Sequence, residues 1–398
     1  MISVEEAQAR ILALKEPVET ERVALNKAAG RWAAEDVVAL RTQPARDLSA
    51  MDGYAIRFAD GAGPWTIIGE SAAGKQFVGS VGAGQAVRIF TGAVVPDGAD
   101  TVIIQENIAR DGDVITVSGD APQKMGQNVR RAGGDFGAGT IVVPKGAQLH
   151  ARHIALAAMA GHGDIAVRRK LRVAIVSTGD ELVPPGQSCA EDQIPSSNGV
   201  MLATMLRGMP VELSEFPAVA DDLDSLTQLF RELSGHDIIV TTGGASVGDH
   251  DLIVPALEAA GGEIVFWKIA MRPGKPVIAG RMGQAVALGL PGNPVSAFVT
   301  AMLYLQPLIA KLSGAADPLP GRLTAKTGVD LPANGPRTDH LRAKLADGAL
   351  TPVGVNDSAM LAALSEANAL IIRPADVGFT PANSEVPYYP LHRSDVSG

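Results

Sequence analysis

Between residues 171 and 312 the chain alternates short apolar runs with segments of helical period, and few folds accept that rhythm. The runs at 171–177, 237–242 and 285–290 consist largely of Val, Ile, Leu and Ala, the texture of strands covered on both faces. Helical patterns read at about 199–207, 223–233, 252–260 and 294–310. Strands and helices in this order build a parallel sheet with helices on both sides. Each run ends in a polar loop: Ser177-Thr178-Gly179-Asp180-Glu181-Leu182, then Thr241-Thr242-Gly243-Gly244-Ala245-Ser246-Val247-Gly248-Asp249-His250-Asp251, then Pro291-Gly292-Asn293-Pro294-Val295-Ser296. In a parallel sheet such loops share the carboxyl edge, where these folds take their ligands.

The remaining sequence has a different texture. At 398 residues the chain exceeds the size one core serves, so several domains are expected. Ser3 and Glu6 read as a capping box for a first helix with an apolar face of Val4, Ala7, Ile11 and Leu14, ended by Pro17. Short alternating runs punctuated by glycine fill 51–136, a β-rich insert, and a helix read at 150–160 brings the chain back to pack on the first. The expectation is an α/β and β multidomain chain. It has a discontinuous helical stalk (1–50 and 137–170), the β-rich insert (51–136), the α/β domain with its parallel sheet (171–315) and a C-terminal β-domain (320–398).

The three loops carry complementary chemistry. Gly243, Gly244 and Gly248 allow close backbone approach, and amides with the hydroxyls of Thr242 and Ser246 suit a phosphate. Asp180, Glu181, Asp249 and Asp251 supply hard oxygen ligands suited to magnesium. Carboxylates alone repel a phosphate, so the site needs cations as well. The run Trp267-Lys268-Ile269-Ala270-Met271-Arg272-Pro273-Gly274-Lys275-Pro276 provides Lys268, Arg272 and Lys275, with two prolines that predict a stiff loop.

Other signals exclude more than they support. The stretch Gly69-Glu70-Ser71-Ala72-Ala73-Gly74-Lys75-Gln76 approaches a phosphate loop, but Gln76 stands where a Ser or Thr magnesium ligand is required. No Gly-x-Gly-x-x-Gly opens the α/β domain, which argues against dinucleotide chemistry. His150 and His153 lack Cys or Glu partners for zinc and read as interface or cap residues. A net charge of −9 and 4% aromatic residues leave no footprint for nucleic acid. The longest apolar runs read as too interrupted for a membrane span. Charges at Glu5, Glu6, Arg10 and Lys15 and a single Cys189 predict a cytoplasmic protein without disulfides.

Six segments in order then resemble one family. Residues 177–182, 242–248, 273–276 and 291–296, with Ser49-Ala50-Met51-Asp52-Gly53-Tyr54-Ala55 and the run from Thr91-Gly92-Ala93 through Pro96 to Asp100, are similar to the molybdopterin molybdenumtransferases, the MoeA type that includes the gephyrin E domain. The resemblance spans essentially the whole chain. It implies a four-domain homodimer that takes adenylyl-molybdopterin and molybdate, supported by Mg2+, and releases AMP as molybdenum reaches the pterin dithiolene. It implies a site shared between the α/β domain of one subunit and the insert of the other, reached by Asp52, Thr91 and Asp135. Carried over by position, Glu181, Asp249 and Asp251 become metal ligands, and Asp221 or Asp222 a carboxylate near the pterin. Thr178, Gly179, Asp180, Thr242, Gly243, Gly244, Ser246 and Gly248 line the pterin side, while Pro291, Gly292, Asn293, Pro294 and Ser296 shape its turn. Lys268, Arg272 and Lys275 meet phosphate or molybdate, and Arg342 and Ser358 contribute from the C-terminal domain. Arg272 departs from the lysine expected in many relatives, exchanging a point charge for a fork.

Two other classes stay open at this level: the adenylyltransferase that makes the activated pterin from ATP, and a gephyrin-like scaffold. The β-rich insert speaks against the first, and the lack of visible added interaction segments against the second. A molybdopterin adenylyltransferase upstream and molybdoenzymes downstream are the partners implied.

Overall fold

The computed structural model of the chain describes residues 1–220, 222–244, 252–354 and 357–391. Its central sheet has six strands in the order Val211–Val219, Leu171–Thr178, Ile238–Thr242, Ala285–Leu290, Pro276–Met282, Glu263–Lys268. The first four are parallel, as the alternating rhythm predicts. The expectation of an all-parallel sheet is corrected at the other end: Pro276–Met282 runs against both its neighbours. Glu263–Lys268, antiparallel to that reversed strand, therefore points the same way as the first four. One reversal thus carries the connection from Lys268 to Pro276 to the carboxyl edge shared by the three polar loops.

Side chains alternate across this sheet with the two-residue period of a pleated strand. Val173, Ile175, Ile238, Val240, Val286 and Leu288 enter one apolar cluster. Their neighbours Ala174, Val176, Ile239, Ala285 and Ala287 enter another, beneath the helices Leu223–Leu233 and Ile253–Ala259. Each fully buried Val, Ile or Leu contributes about 1.5–3 kcal/mol. Val211–Val219 escapes the sequence pattern because it is an edge strand that alternates polar and apolar residues instead of running apolar throughout.

The first helix, Val4–Leu12, is capped as expected, the Ser3 hydroxyl accepting the Glu6 N–H at 3.0 Å. Its packing differs from expectation. Val4, Ala7, Ile11 and Leu14 join the cluster of Leu303, Tyr304 and Leu308 against the α/β domain. The helix Ala151–Met159 belongs to a separate cluster with Ala28, Ala33, Val37, Leu149 and Ile165. The two helices do not build a joint helical stalk. That region is one helix on short antiparallel ribbons, Thr20–Ala24 with Asp164–Arg168 and Val37–Val38 with Ile141–Val143. The physical reason lies just before the first helix: Ile2 bridges Ile269 and donates its N–H to the Lys268 carbonyl at 3.2 Å, anchoring it to the sheet edge.

The helical run from Pro294 to Leu312 is longer than its proline suggests. Pro307 has no N–H to give four residues back, and the widened turn Ala301–Leu305 just ahead of it absorbs the defect. The resulting 19 residues are long and apolar enough to cross a membrane, which corrects the reading of interrupted runs; 83% of the apolar window is buried within the protein, as in a core helix.

The insert is a six-stranded sheet in the order Thr101–Ile104, Gly53–Ile56, Gln85–Ile89, Trp65–Ser71, Val114–Val117, Ile108–Asp111. Its two apolar clusters are built from residues of that segment alone. Toward the C-terminus, Thr338–Ala346, Ala349–Pro352, Leu323–Thr327, Glu385–Pro390 and Ala369–Arg373 pair in a ring, the last closing on the first, a small barrel that leaves few free edges. Met271–Arg272 pairs in parallel with Thr338–Ala346 and ties this barrel to the sheet edge.

Candidate active site

Three strand ends meet at the carboxyl edge. Thr178 and Thr242, each 2% exposed, close their strands, and Gly243 lies so near Thr178 that a Cβ on it would stand 2.2 Å from the Thr178 carbonyl oxygen. With φ of +99° this position accepts only glycine. Gly292 faces Gly243, a Cβ on it reaching the Gly243 Cα at 3.5 Å. The group that joins these loops is Asn198, which the sequence reading missed. Its side-chain amide donates to Thr242 Oγ1 at 2.8 Å and to the Gly292 carbonyl at 2.6 Å. The only local signal is the Ser196-Ser197-Asn198-Gly199 run opening the helix Ser197–Leu206. Thr178 Oγ1 and Asn198 Oδ1 are buried without a hydrogen-bond partner among the described residues.

Glu181 and Asp180 are exposed at the same edge, Glu181 turning its carboxylate over Gly179. Asp222 caps the helix Leu223–Leu233, accepting the Ser225 N–H at 2.9 Å, and the Ser225 hydroxyl together with that N–H holds its carboxyl below the usual pKa. Ser246, Gly248, Asp249 and Asp251, and also Asp221, lie outside the described residues. Among the described residues no three metal-ligating side chains converge, so Glu181 is the one member of the expected magnesium set whose placement is seen.

Beside the strand ends lies a cavity of about 260 Å³ in which Lys275, Arg337, Arg342, Asn293, Ser296 and Ser358 take part. Proximity follows from topology: Lys275 belongs to the connection carried up by the reversed strand, and Ser358 reaches in from the C-terminal region. Asn293 donates to Ser358 Oγ at 2.9 Å, and the Ser358 carbonyl accepts the Val295 N–H at 3.1 Å. Pro291 lines the same space, and Pro294 opens the helix behind it. Arg342, 5% exposed, donates to the Met360 carbonyl at 2.8 Å. Burial lowers its pKa and nearby Asp357 raises it. Arg272, which also lines the cavity, is bound to Asp339, its Nε within 2.9 Å and 3.0 Å of the two carboxylate oxygens. It is therefore less free for an external anion than the sequence suggests. Lys268 ends its strand opposite Pro276. His340, also in the lining, is buried, and burial pushes its pKa down to about 4, so it adds no positive charge near neutral pH.

A larger cavity, about 780 Å³, lies at the opposite edge, where Arg172 and Glu212 begin their strands. Arg31, Arg169, Lys170, Glu19 and Glu21 complete its mixed-charge lining, and it shares no residue with the loops.

On the insert, Gly53 pairs with Ile89, which brings Asp52 and Thr91 together just beyond that pair. Asp52 Oδ1 accepts the Thr91 N–H at 2.7 Å and its hydroxyl at 2.8 Å, and these bonds hold the carboxyl below its ordinary pKa. Asp135 is exposed, its N–H bonded to the Gln43 carbonyl at 3.1 Å. The near-phosphate-loop stretch is part of a strand with a tight turn, Ala72 bridging Lys75, and leads into no helix. His150 caps the helix Ala151–Met159, with His153 Nδ1 accepting the His150 N–H at 3.2 Å.

A phosphate-suited strand edge beside a cation-rich cavity, in a chain with a β-insert and a C-terminal barrel, agrees with the resemblance of the six sequence segments to a transferase of molybdenum cofactor biosynthesis. Family models bear this out: the MoeA N-terminal region (domain I and II) matches residues 2–161, the "Probable molybdopterin binding domain" 174–311, and the MoeA C-terminal region (domain IV) 324–391. The chain belongs to the molybdopterin molybdenumtransferase family. It is 39% identical over 318 residues to the molybdopterin molybdenumtransferase of Haemophilus influenzae, covering 79% of this chain and 78% of that one. Identity to the Staphylococcus aureus molybdopterin molybdenumtransferase is 32% over 385 residues, 94% and 91% of the two chains. Among solved structures, a molybdopterin biosynthesis MoeA protein from Pyrococcus horikoshii superposes with a TM-score of 0.82 at 30% identity, covering 98% of this chain and 99% of that one.

Proposed function

We propose that this chain transfers molybdenum from molybdate to adenylyl-molybdopterin and releases AMP. The observation that carries the reading is the turn Pro291-Gly292-Asn293, which stands between the strand-end cradle and the cation-lined cavity and contacts both. A phosphorylated pterin at the cradle would place its phosphoanhydride near an oxyanion in the cavity, the proximity such a transfer requires. Amides around Gly243 and Gly292 with the Thr178 and Thr242 hydroxyls would hold the phosphorylated side. Lys275, Arg342, Ser296 and Ser358 would hold molybdate, and fixed cations there stabilise charge that develops on oxygen.

The donor chemistry of Glu181, Asp249 and Asp251 fits magnesium, which would neutralise phosphate charge when bound. The family-derived role of Asp52, Thr91 and Asp135 supports a homodimer in which the insert faces the partner's α/β domain, because the insert keeps its apolar clusters to itself and presents these polar groups outward. Val38, Leu40, Ile141 and Met159 form an exposed apolar patch that a second copy would cover. Cytoplasmic placement, supply by an adenylyltransferase and delivery to molybdoenzymes complete the reading.

The test is product analysis. AMP should appear from adenylyl-molybdopterin only when molybdate is present. Consumption of ATP with release of pyrophosphate would assign the chain to adenylyl transfer instead.

A further inference from the structure

The two subsites are connected through one side chain that no family motif quoted above includes. Asn198 uses both amide protons, one on Thr242 Oγ1 and one on the Gly292 carbonyl. Because a carbonyl only accepts, the bond to Gly292 fixes which end of the amide is nitrogen. Thr242, accepting from Asn198, turns its own hydroxyl toward the Pro291 carbonyl at 3.4 Å. Two successive carbonyls of the turn are thus gripped from the cradle side. The next residue, Asn293, grips Ser358 on the cavity side. The series Thr242, Asn198, Gly292, Asn293, Ser358 runs without a gap from one subsite to the other.

We infer that Asn198 is a positioning residue that couples the two subsites, so that filling the phosphate cradle improves oxyanion binding in the cavity. A ligand phosphate against Gly243 restrains Thr242. Through Asn198 that restraint reaches the Pro291-Asn293 turn and then Ser358. Without the two bonds only the 3.4 Å contact from Thr242 to the Pro291 carbonyl holds the turn from the cradle side, and the cavity forms with little reference to the cradle. Coupling of this kind is reciprocal, each ligand raising the affinity of the other by the same factor.

The inference rests on the reading that the cradle takes a phosphate ester and the cavity molybdate. Calorimetry with AMP and sodium molybdate as probes tests it on the full-length protein. Wild type should bind molybdate more tightly with AMP present, by at least about fivefold. Asn198→Ala should reduce that factor to within about twofold of unity. It should also raise KM for molybdate in AMP release about tenfold while changing kcat less, with a normal thermal midpoint. Asn198→Asp, equal in size but without the donors, should match Asn198→Ala, and Thr242→Val should add little to either. If Asn198→Ala folds poorly, Thr242→Val and Asn198→Asp read the same coupling. Absence of coupling in wild type, full coupling in Asn198→Asp, or additive losses in the double variant would overturn the inference while molybdate-dependent AMP release continued. Failure of wild type to release AMP, with coupling intact, would overturn the functional reading alone.

Discussion

Lys15 and Asp237, 222 residues apart, meet at 2.9 Å beneath the central sheet, and the same buried carboxylate takes two bonds from Arg169 at 2.6 Å and 2.9 Å and the Arg172 N–H at 2.9 Å. Asp237, whose side chain is 2% exposed, so fastens the first helix and the linker before Leu171 to the start of a core strand. Although burial opposes ionisation, these donors hold its carboxyl far below the usual range. Removing the carboxylate takes the shared buried partner from two cations, leaving Arg169 with Glu19 and Lys15 with the Gln284 carbonyl. Asp237→Ala should cost about 3–5 kcal/mol, read as a fall in the urea midpoint. The loss should hold above pH 5 and narrow as pH falls through and below about 4, where the unfolded carboxyl takes its proton first.

His340 predicts a different pH dependence. It is buried against Tyr389, ring centroids 6.1 Å apart, with a folded pKa of about 4 against 6.5 for the free side chain. Below pH 6.5 the unfolded chain takes a proton that the fold refuses. Stability should therefore fall by up to about 1.4 kcal/mol per pH unit from 6.5 toward 4. His340→Gln should flatten that slope in denaturant titrations across the same window.

Lys275 and Arg272 should separate by phenotype. Lys275 is exposed at the cavity, so Lys275→Ala should weaken molybdate binding by about 1.5–3 kcal/mol in calorimetry and leave the thermal midpoint nearly unchanged. Arg272 compensates Asp339, whose side chain is 6% exposed. Arg272→Ala leaves that carboxylate unpaired, and the melting temperature should fall by several degrees whatever happens to the anion.

Asp52→Asn weakens the acceptor of Thr91 at an exposed position and should leave stability nearly unchanged. Molybdate-dependent AMP release should fall at least about 100-fold, the scale of one electrostatic group in a transition state. Asp251→Asn should do the same. Normal turnover in both variants, or early melting in both, would remove these carboxylates from the reaction. Mixing the Asp52 variant with one lacking Lys275 tests the proposed shared site: partial recovery of turnover requires a dimer that pairs the insert of one subunit with the α/β domain of the other.

By itself the sequence determined the elements whose signals are local. Leu171–Thr178, Ile238–Thr242 and Ala285–Leu290 are largely apolar because both faces are covered, and the Ser3 cap and the glycines at the strand ends declare themselves within a few residues. The three polar loops could be placed on one edge because parallel strands share direction. Only the tertiary structure decided the direction of Pro276–Met282, since the two-residue period is the same for a strand of either sense. The partner of Val4–Leu12 was equally hidden, because an apolar face specifies burial and not the surface that covers it. Asn198 meets Gly292 across 94 residues, Asn293 meets Ser358 across 65 and Lys15 meets Asp237 across 222. A polar side chain announces that it needs a partner, and the chain path alone determines which distant donor or acceptor arrives within 3 Å.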